Sequence, residues 1–327
     1  MRTKNNYKYN DRFRPGKGVC GQAPSTLSLK VSRPKRDWSK YNKQLVERGN
    51  TMGFVRTMVM KGPWVLHTGS RGRPQYSAEA ITVCYMLMGV LNLTTRGVNG
   101  YLTGVFELLG LNPAHIPSPA TICRNAHKVL FSAPKCTKMS TTRLVDGTGF
   151  GYKMRGVYAT NKYGEPKRRR RFALTTLVTD AKTGVITGVK VTPDYGVGNG
   201  EVSQLPDLLG QETELVTVLM GDGAYDTFNV YSLCESKNIT LVAPPQINAV
   251  PGLHPARDVR LTQIGRLGVK MWKQRIGYHT RSLIEATNGG VKSAFGDKIR
   301  ATTFKGAKAH IIARILVYNM WLVDALT

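Results

Sequence analysis

The chain changes character near Cys136, and that change decides its fold class. Up to about residue 135, apolar residues recur at helical spacing, as in Trp38, Tyr41, Leu45 and Val46. Beyond that point come short β-branched or apolar runs: Arg143-Leu144-Val145-Asp146, Phe172 to Thr179, and Val185 to Thr192 with period two. Leu215 to Met220 and Ile239 to Val242 follow, with helical stretches at Glu201 to Leu209 and Thr227 to Lys237. Three strands and then alternating helices and strands predict a mixed α/β domain behind an all-helical N-terminal region.

Local signals place several elements. Ser77 is a good cap for a helix through Ala80–Leu93, and Val98 to Leu109 reads as another. Ser118 followed by Pro119 opens a further helix, which carries Arg124, His127 and Lys128 on its polar side. Short helices ending in a capped basic one suggest a helix-turn-helix-like module. An ordinary bundle with a solvated basic face has the same pattern, and this stretch alone does not separate the two. Asp180 precedes Ala181-Lys182-Thr183-Gly184 and reads as a hairpin-turn residue, and Asp226 as a helix cap.

Charge narrows the function. Forty-seven Lys and Arg face twenty Asp and Glu, a net charge of +27. Such a surface attracts polyanions, with nucleic acid the first partner to consider and an acidic membrane the second. A spanning helix needs roughly 20 apolar residues. Ala80–Leu93 is shorter, and the run from Ile311 to Leu326 carries Arg314, Asn319 and Asp324, so no membrane partner is expected. The N-terminus has no apolar signal region, and the five cysteines lie far apart with no Cys-x-x-Cys pair. A soluble protein of a reducing compartment fits best. Ten Lys and Arg between residues 1 and 37 form a basic arm, and Lys167, Arg168, Arg169, Arg170 and Arg171 form a second basic run. Both are candidates to lie along DNA phosphates, although a solvated charge run has the same composition. Trp272, between Lys270 and Lys273, is either a core residue or a platform for a flipped base.

Few acids exist, so those at strand ends carry weight. Asp146 follows Leu144-Val145, and Asp222 follows Val218-Leu219-Met220-Gly221. Strand ends are where open α/β sheets build their sites. Two carboxylates on neighbouring strand ends repel unless a cation lies between them, and Mg²⁺ is a hard ion suited to carboxylate and phosphate oxygens. A loop carboxylate capping a turn would look the same. Tyr278, Arg281, Glu285 and Lys292 stand on a third element. At 100° per residue they fall within about 60° of one another on a helix. That stripe is either a surface face with an Arg281–Glu285 ion pair or the third wall of a metal site.

Tyr278, Arg281, Glu285 and Lys292, in the spacing Tyr-x₂-Arg-x₃-Glu-x₆-Lys, resemble the signature of DDE transposases of the insertion-sequence-four and -five superfamily. More blocks look like the kanamycin-transposon branch of the insertion-sequence-five family. These are Trp38-Ser39-Lys40-Tyr41-Asn42, Arg71-Gly72-Arg73-Pro74, Leu144 to Gly149, Gly221 to Thr227, Pro244-Pro245 and Phe295-Gly296. The resemblance covers roughly residues 38 to 322. It implies an RNase H-like core with Asp146, Asp222 and Glu285 as catalytic acids binding two Mg²⁺ or Mn²⁺ ions. It also implies an N-terminal domain that reads terminal inverted repeats. Segment 244–275 would replace a longer β insertion with a loop or small hairpin. Gly147 stands where that family commonly has a hydroxyl residue, which would loosen the loop, and Asn288-Gly289-Gly290 would interrupt the helix after Glu285.

The expected organisation is a basic arm at 1–37, a helical DNA-binding domain at 38–135, a catalytic domain at 136–305 and a C-terminal helix at 306–327. The expected function is cleavage at the ends of an insertion sequence and joining of the 3′-hydroxyls to target DNA, by a homodimer or higher assembly in a prokaryotic nucleoid. Tyr278, Arg281, Lys292, Arg124, Lys128, Lys167 to Arg171, Lys273 and Arg275 would hold double-stranded DNA. The rival is a transposase-derived repressor that binds without cutting, and the glycine-rich break after Glu285 is the feature that favours it.

Overall fold

The computed structural model describes residues 37–60, 62–67, 75–152, 171–194, 196–246 and 249–326. The basic arm up to residue 36, the joint at 71–74 and Lys167 to Arg170 lie outside the described residues.

The first part is helical, as its spacing predicts. Helices α1 (Trp38–Arg48) and α2 (Thr51–Met60) precede a two-stranded ribbon, β1 (Val65–His67) with β2 (Gln75–Tyr76). Then come α3 (Ala78–Val90), α4 (Thr95–Leu108) and the short α5 (Pro119–Arg124). Ser77 caps α3 by accepting the Ala80 N–H at 3.0 Å, and Ser118 caps α5 by accepting that of Thr121 at 3.3 Å. Helices α3 and α4 meet at 106°. Most of α3 is buried, which accounts for a helix that is apolar all round. Among the described residues no single helix is long and apolar enough to cross a membrane.

The second part is built on one mixed sheet. Its strands are β3 (Thr142–Tyr152), β4 (Arg171–Asp180), β5 (Ile186–Pro193), β6 (Val218–Met220) and β7 (Thr240–Val242). Their order is β5-β4-β3-β6-β7, antiparallel from β5 to β3 and parallel from β3 to β7. Helices α6 (Leu205–Gly210) and α7 (Phe228–Ser236) lie along the chain between strands. They share a small apolar cluster with Val145, Val178 and Leu219. Helix α8 (Pro255–Arg275) leads into α9 (Ser282–Phe295), and the short β8 (Lys298–Ile299) pairs with the far end of β3. This is the RNase H-like arrangement expected, a mixed-sheet α/β core behind a helical region.

Helix α10 (Phe304–Leu326) joins the two parts. Its Ile311, Ile312, Ile315 and Val317 belong to the same buried cluster as Ile81, Leu87, Leu144 and Leu177. The polar residues that interrupt it have work inside the fold. Asn319 exchanges two hydrogen bonds with the backbone of Ile186, at 2.9 and 2.7 Å. Arg314 donates to the carbonyls of Gly296 and Lys298.

Asp180 is the turn residue expected, accepting from the Lys182 and Thr183 amides. It also meets Arg143, which is fully buried and contacts both Asp180 at 3.1 Å and Glu212 at 2.8 Å.

Three expectations need correction. Segment 244–275 is mostly helix rather than a loop or hairpin. Pro255 suits the first helical position, Leu261, Ile264 and Trp272 bury one side, and only Gly268, at φ 73°, breaks the run. Asp226 does not cap α7. It is buried and pairs with Arg257 at 3.1 Å, pinning the first turn of α8. Gly147 loosens no loop, because it lies inside β3 opposite Thr176.

Replacing Arg143 tests how far this buried network supports the sheet. Arg143→Ala leaves Asp180 and Glu212 without their shared cation and should destabilise the fold by about 3–5 kcal/mol. Urea unfolding followed by circular dichroism measures it.

Candidate active site

The parallel register builds the site. Leu144 pairs with Met220 at the end of the β3–β6 ladder, so Asp146 and Asp222 each stand two residues past the last pair. Adjacent parallel strands thereby deliver two carboxylates to the same level. On that edge β8 joins β3 only at Gly151, leaving residues between open. Asp222 does what the simpler reading predicted as well: its Oδ1 accepts the Ala224 N–H at 2.8 Å and caps a 3₁₀ turn.

Helix α9 supplies the third acid. The stripe from Tyr278 to Lys292 does not run on one helix, because Tyr278–Arg281 forms a 3₁₀ turn and α9 begins at Ser282. The Arg281–Glu285 pair survives that break. Arg281 Nη1 donates to Glu285 Oε1 at 2.6 Å, Nη2 to Asp146 Oδ1 at 3.1 Å, and Nη2 lies 4.0 Å from Asp222 Oδ2. One guanidinium therefore contacts all three predicted acids. Their side chains grade outward, with Asp146 16% exposed, Asp222 41% and Glu285 58%.

The glycine-rich stretch does not interrupt the helix. Helix α9 is continuous through Asn288-Gly289-Gly290, and two of the three have a defined contact. Asn288 Nδ2 donates to Asp146 Oδ2 at 3.0 Å, so both Asp146 oxygens are held. A Cβ on Gly290 would lie 2.3 Å from the Tyr318 hydroxyl, so glycine lets α10 close on α9. Gly289 meets nothing and is exposed.

The electrostatics follow from crowding. Burial pushes the Asp146 carboxyl up; Arg281 opposes this, while Asp222 and Glu285 add to it. Burial works against the charge on Arg281, yet Tyr278, Asp146 and Glu285 together raise its pKa. Glu201, from the turn after β5, also faces this group. Its carboxyl is pushed up by burial and then by Asp146 and Asp222. Tyr225, fully buried, is raised by burial and then by Glu201, Asp222 and Asp146.

The other predicted residues fall into two groups. Tyr278 donates to the Gly221 carbonyl at 3.0 Å, beside Asp222, and burial lifts its phenol to about 12. Lys273 lies over the Tyr278 ring at 5.2 Å, with Arg275 exposed in the last turn of α8. Lys292 lies over the Phe150 ring at 5.5 Å. Trp272 is 1% exposed and belongs to the core, not to a base-stacking platform. Arg124 and Lys128 are on the helical part, where Arg124 is exposed and Lys128 donates to the Tyr76 carbonyl at 2.7 Å. Arg171 is exposed at the start of β4.

Sequence reasoning missed Asn288 and Glu201. Asn288 had a signal: it stands three residues after Glu285, on the same helical face. Glu201 had none, since only the chain reversal after β5 brings it here.

Among the described residues, no three His, Cys, Asp or Glu side chains stand close enough to hold a metal ion as they are. The donor set nevertheless suits a hard divalent cation. It is all oxygen, it carries more negative than positive charge, and three of its acids converge on one cationic group.

Comparison with known proteins agrees with this chemistry. Residues 137–320 match a family described as a transposase DDE domain, and residues 46–156 match a second family of that description. An uncharacterized protein of Aquifex aeolicus is 21% identical over 320 residues, 89% of this chain and 91% of its own length. The Mos1 transposase paired-end complex with the left transposon end is similar over 89% of this chain and 94% of that chain, at 11% identity and TM-score 0.23. The Mos1 mariner paired-end complex with Mn gives the same coverage and identity at TM-score 0.24. Those overlays are too loose to equate residues.

The close approach at Gly290 is testable. Gly290→Ala should cost about 1–3 kcal/mol through overpacking against Tyr318. The loss should shrink in a Tyr318→Phe background, which removes the clashing hydroxyl; chemical denaturation of the two singles and the double measures the coupling.

Proposed function

The chain belongs to the transposase DDE domain family, and from that premise we propose that it is a DNA transposase of insertion-sequence type. Within the family, its sequence blocks favour the kanamycin-transposon branch of the insertion-sequence-five family. The protein binds the terminal inverted repeats of its element, hydrolyses a phosphodiester at each end, and joins the freed 3′-hydroxyls to target DNA. The observation that carries this reading is the convergence of Asp146, Asp222 and Glu285 on Arg281.

Asp146, Asp222 and Glu285 would hold two Mg²⁺ or Mn²⁺ ions. When bound, such a pair lowers the pKa of the attacking water or hydroxyl and offsets charge on the leaving oxygen. The chain's own residues prepare the rest. Asn288 fixes the Asp146 carboxylate, and the 3₁₀ turn fixes that of Asp222. Arg281 keeps the three acids together while no other cation is there, and the same guanidinium suits a backbone phosphate of the entering strand. Tyr278 braces the turn before Asp222 and lies where end DNA would pass.

Lys292, Lys273 and Arg275 would add phosphate contacts near the acids, and Lys167 to Arg171 along the same duplex. Arg124 and Lys128 would serve the helical part, which reads the terminal repeat. Both element ends must be held at once, so a homodimer or larger synaptic assembly is the working form. A prokaryotic nucleoid is the fitting location. The repressor alternative loses the feature that favoured it, since α9 is unbroken past Glu285.

The test is a labelled duplex carrying the element's own terminal repeat, incubated with Mg²⁺ or Mn²⁺ and either the natural protein or Glu285→Ala. Nicking at the repeat end is expected, and it should be lost in the variant while repeat binding persists. Binding without cleavage by the natural protein in either metal would instead support the repressor.

A further inference from the structure

Among the described residues, Glu201 is the one further acid whose charge is coupled to Asp146 and Asp222 and which the family reading leaves without a role. It follows a glycine-rich turn that is braced from below. Gln204 donates to the carbonyls of Gly198 at 2.6 Å and Gly200 at 3.4 Å, and Thr192 donates to that of Asn199 at 3.0 Å. The braced turn aims the Glu201 side chain at β3. There its Oε1 lies 1.9 Å, and its Cδ 2.0 Å, from where a Cβ at position 147 would stand. Any side chain on residue 147 would therefore evict the carboxylate. Position 147 adjoins Asp146, on the stretch of β3 that neither β6 nor β8 pairs.

The carboxylate is half-buried there, and among the described residues no hydrogen bond or ion pair reaches its oxygens. Asp146 and Asp222 are its charged neighbours, and the opposing pull of Arg281 is weaker than either. An acid desolvated beside other acids and lacking a donor is unfavourable unless a cation joins them. One guanidinium already divided among Asp146, Asp222 and Glu285 does not meet that need.

We propose that Glu201 is a fourth carboxylate of the centre, a divalent-cation ligand admitted to it by Gly147. The proposal rests on the reading of Asp146, Asp222 and Glu285 as cation-binding acids. It gives Gly147 a definite purpose, which is to leave room for another residue's oxygen. It also makes a substitution at 147 a way of removing Glu201 from the site without altering Glu201 itself. The atoms in the way are the far end of a flexible side chain, so the fold should accommodate the added methyl.

The test is titration calorimetry of the full chain with Mn²⁺ alone, without DNA, accompanied by metal-free melting temperatures. Glu201→Gln should weaken Mn²⁺ binding by about tenfold or more, the scale seen when an oriented group of a metal site is removed. Gly147→Ala should weaken it similarly, with metal-free melting not lowered in either variant. The double variant should bind no worse than either single, because both changes remove one interaction. Asp146→Asn and Asp222→Asn separate the two levels of the argument. If both lose Mn²⁺ and Glu201→Gln keeps natural affinity, the role of Glu201 is overturned and the three-acid reading stands. If the natural protein binds no Mn²⁺, or both Asn variants bind as it does, the reading of the centre fails and this proposal with it.

Discussion

The parallel ladder between β3 and β6 ends at Leu144 and Met220, and the candidate site depends on where it ends. One more residue of pairing would join Gly221 to Val145, which already pairs with β4, and move the exit of β6. As built, the end of the ladder leaves Asp146 and Asp222 at the same level, while β3 continues toward β8 paired only with β4. That open edge is what lets α9 and the 3₁₀ turn before it bring Glu285, Asn288 and Arg281 to Asp146 and Asp222 from one side. The long helix α10 secures the arrangement from behind, through Asn319 on β5 and Tyr318 against Gly290.

Electrostatics give the arrangement a direction. A chain with net charge +27 gathers acids at one point and bridges them with a single arginine, which leaves the centre negative. The surface attracts a polyanion, while the centre, crowded with carboxylates, favours a cation. A phosphodiester brought in by the surface would meet positive charge at the centre only once cations are bound there. That logic suits metal-dependent phosphodiester chemistry better than simple coating of nucleic acid.

Much of this was legible in the sequence. Ser77 and Ser118 announced their helices, because a hydroxyl before a helical run has one dominant use. Asp180 declared itself by the turn residues after it. Asp146 and Asp222 stood out because so few acids exist, although Asp146 lies within β3, paired with Leu177, rather than at a strand end. The failures share a cause, in that long-range partners overrode local composition. Residues 255–275 carry Pro, Gly and basic residues, yet burial of Trp272 and the pairing of Arg257 with Asp226 hold them as a helix. Asn288 to Gly290 read as a break from propensity alone, but the bond of Asn288 to Asp146 and the close approach of Tyr318 to Gly290 hold the helix there. Glu201 gave no sign, since its neighbours are more than 20 residues away in sequence and meet it only through the fold.

Diffraction from crystals soaked in Mn²⁺, with anomalous scattering locating the ions, tests the central claim most directly. The account predicts Mn²⁺ at the carboxylates of Asp146, Asp222 and Glu285, with the Arg281 guanidinium moved off Asp146. Full-strength anomalous peaks elsewhere, with Arg281 still bridging all three acids, would contradict it.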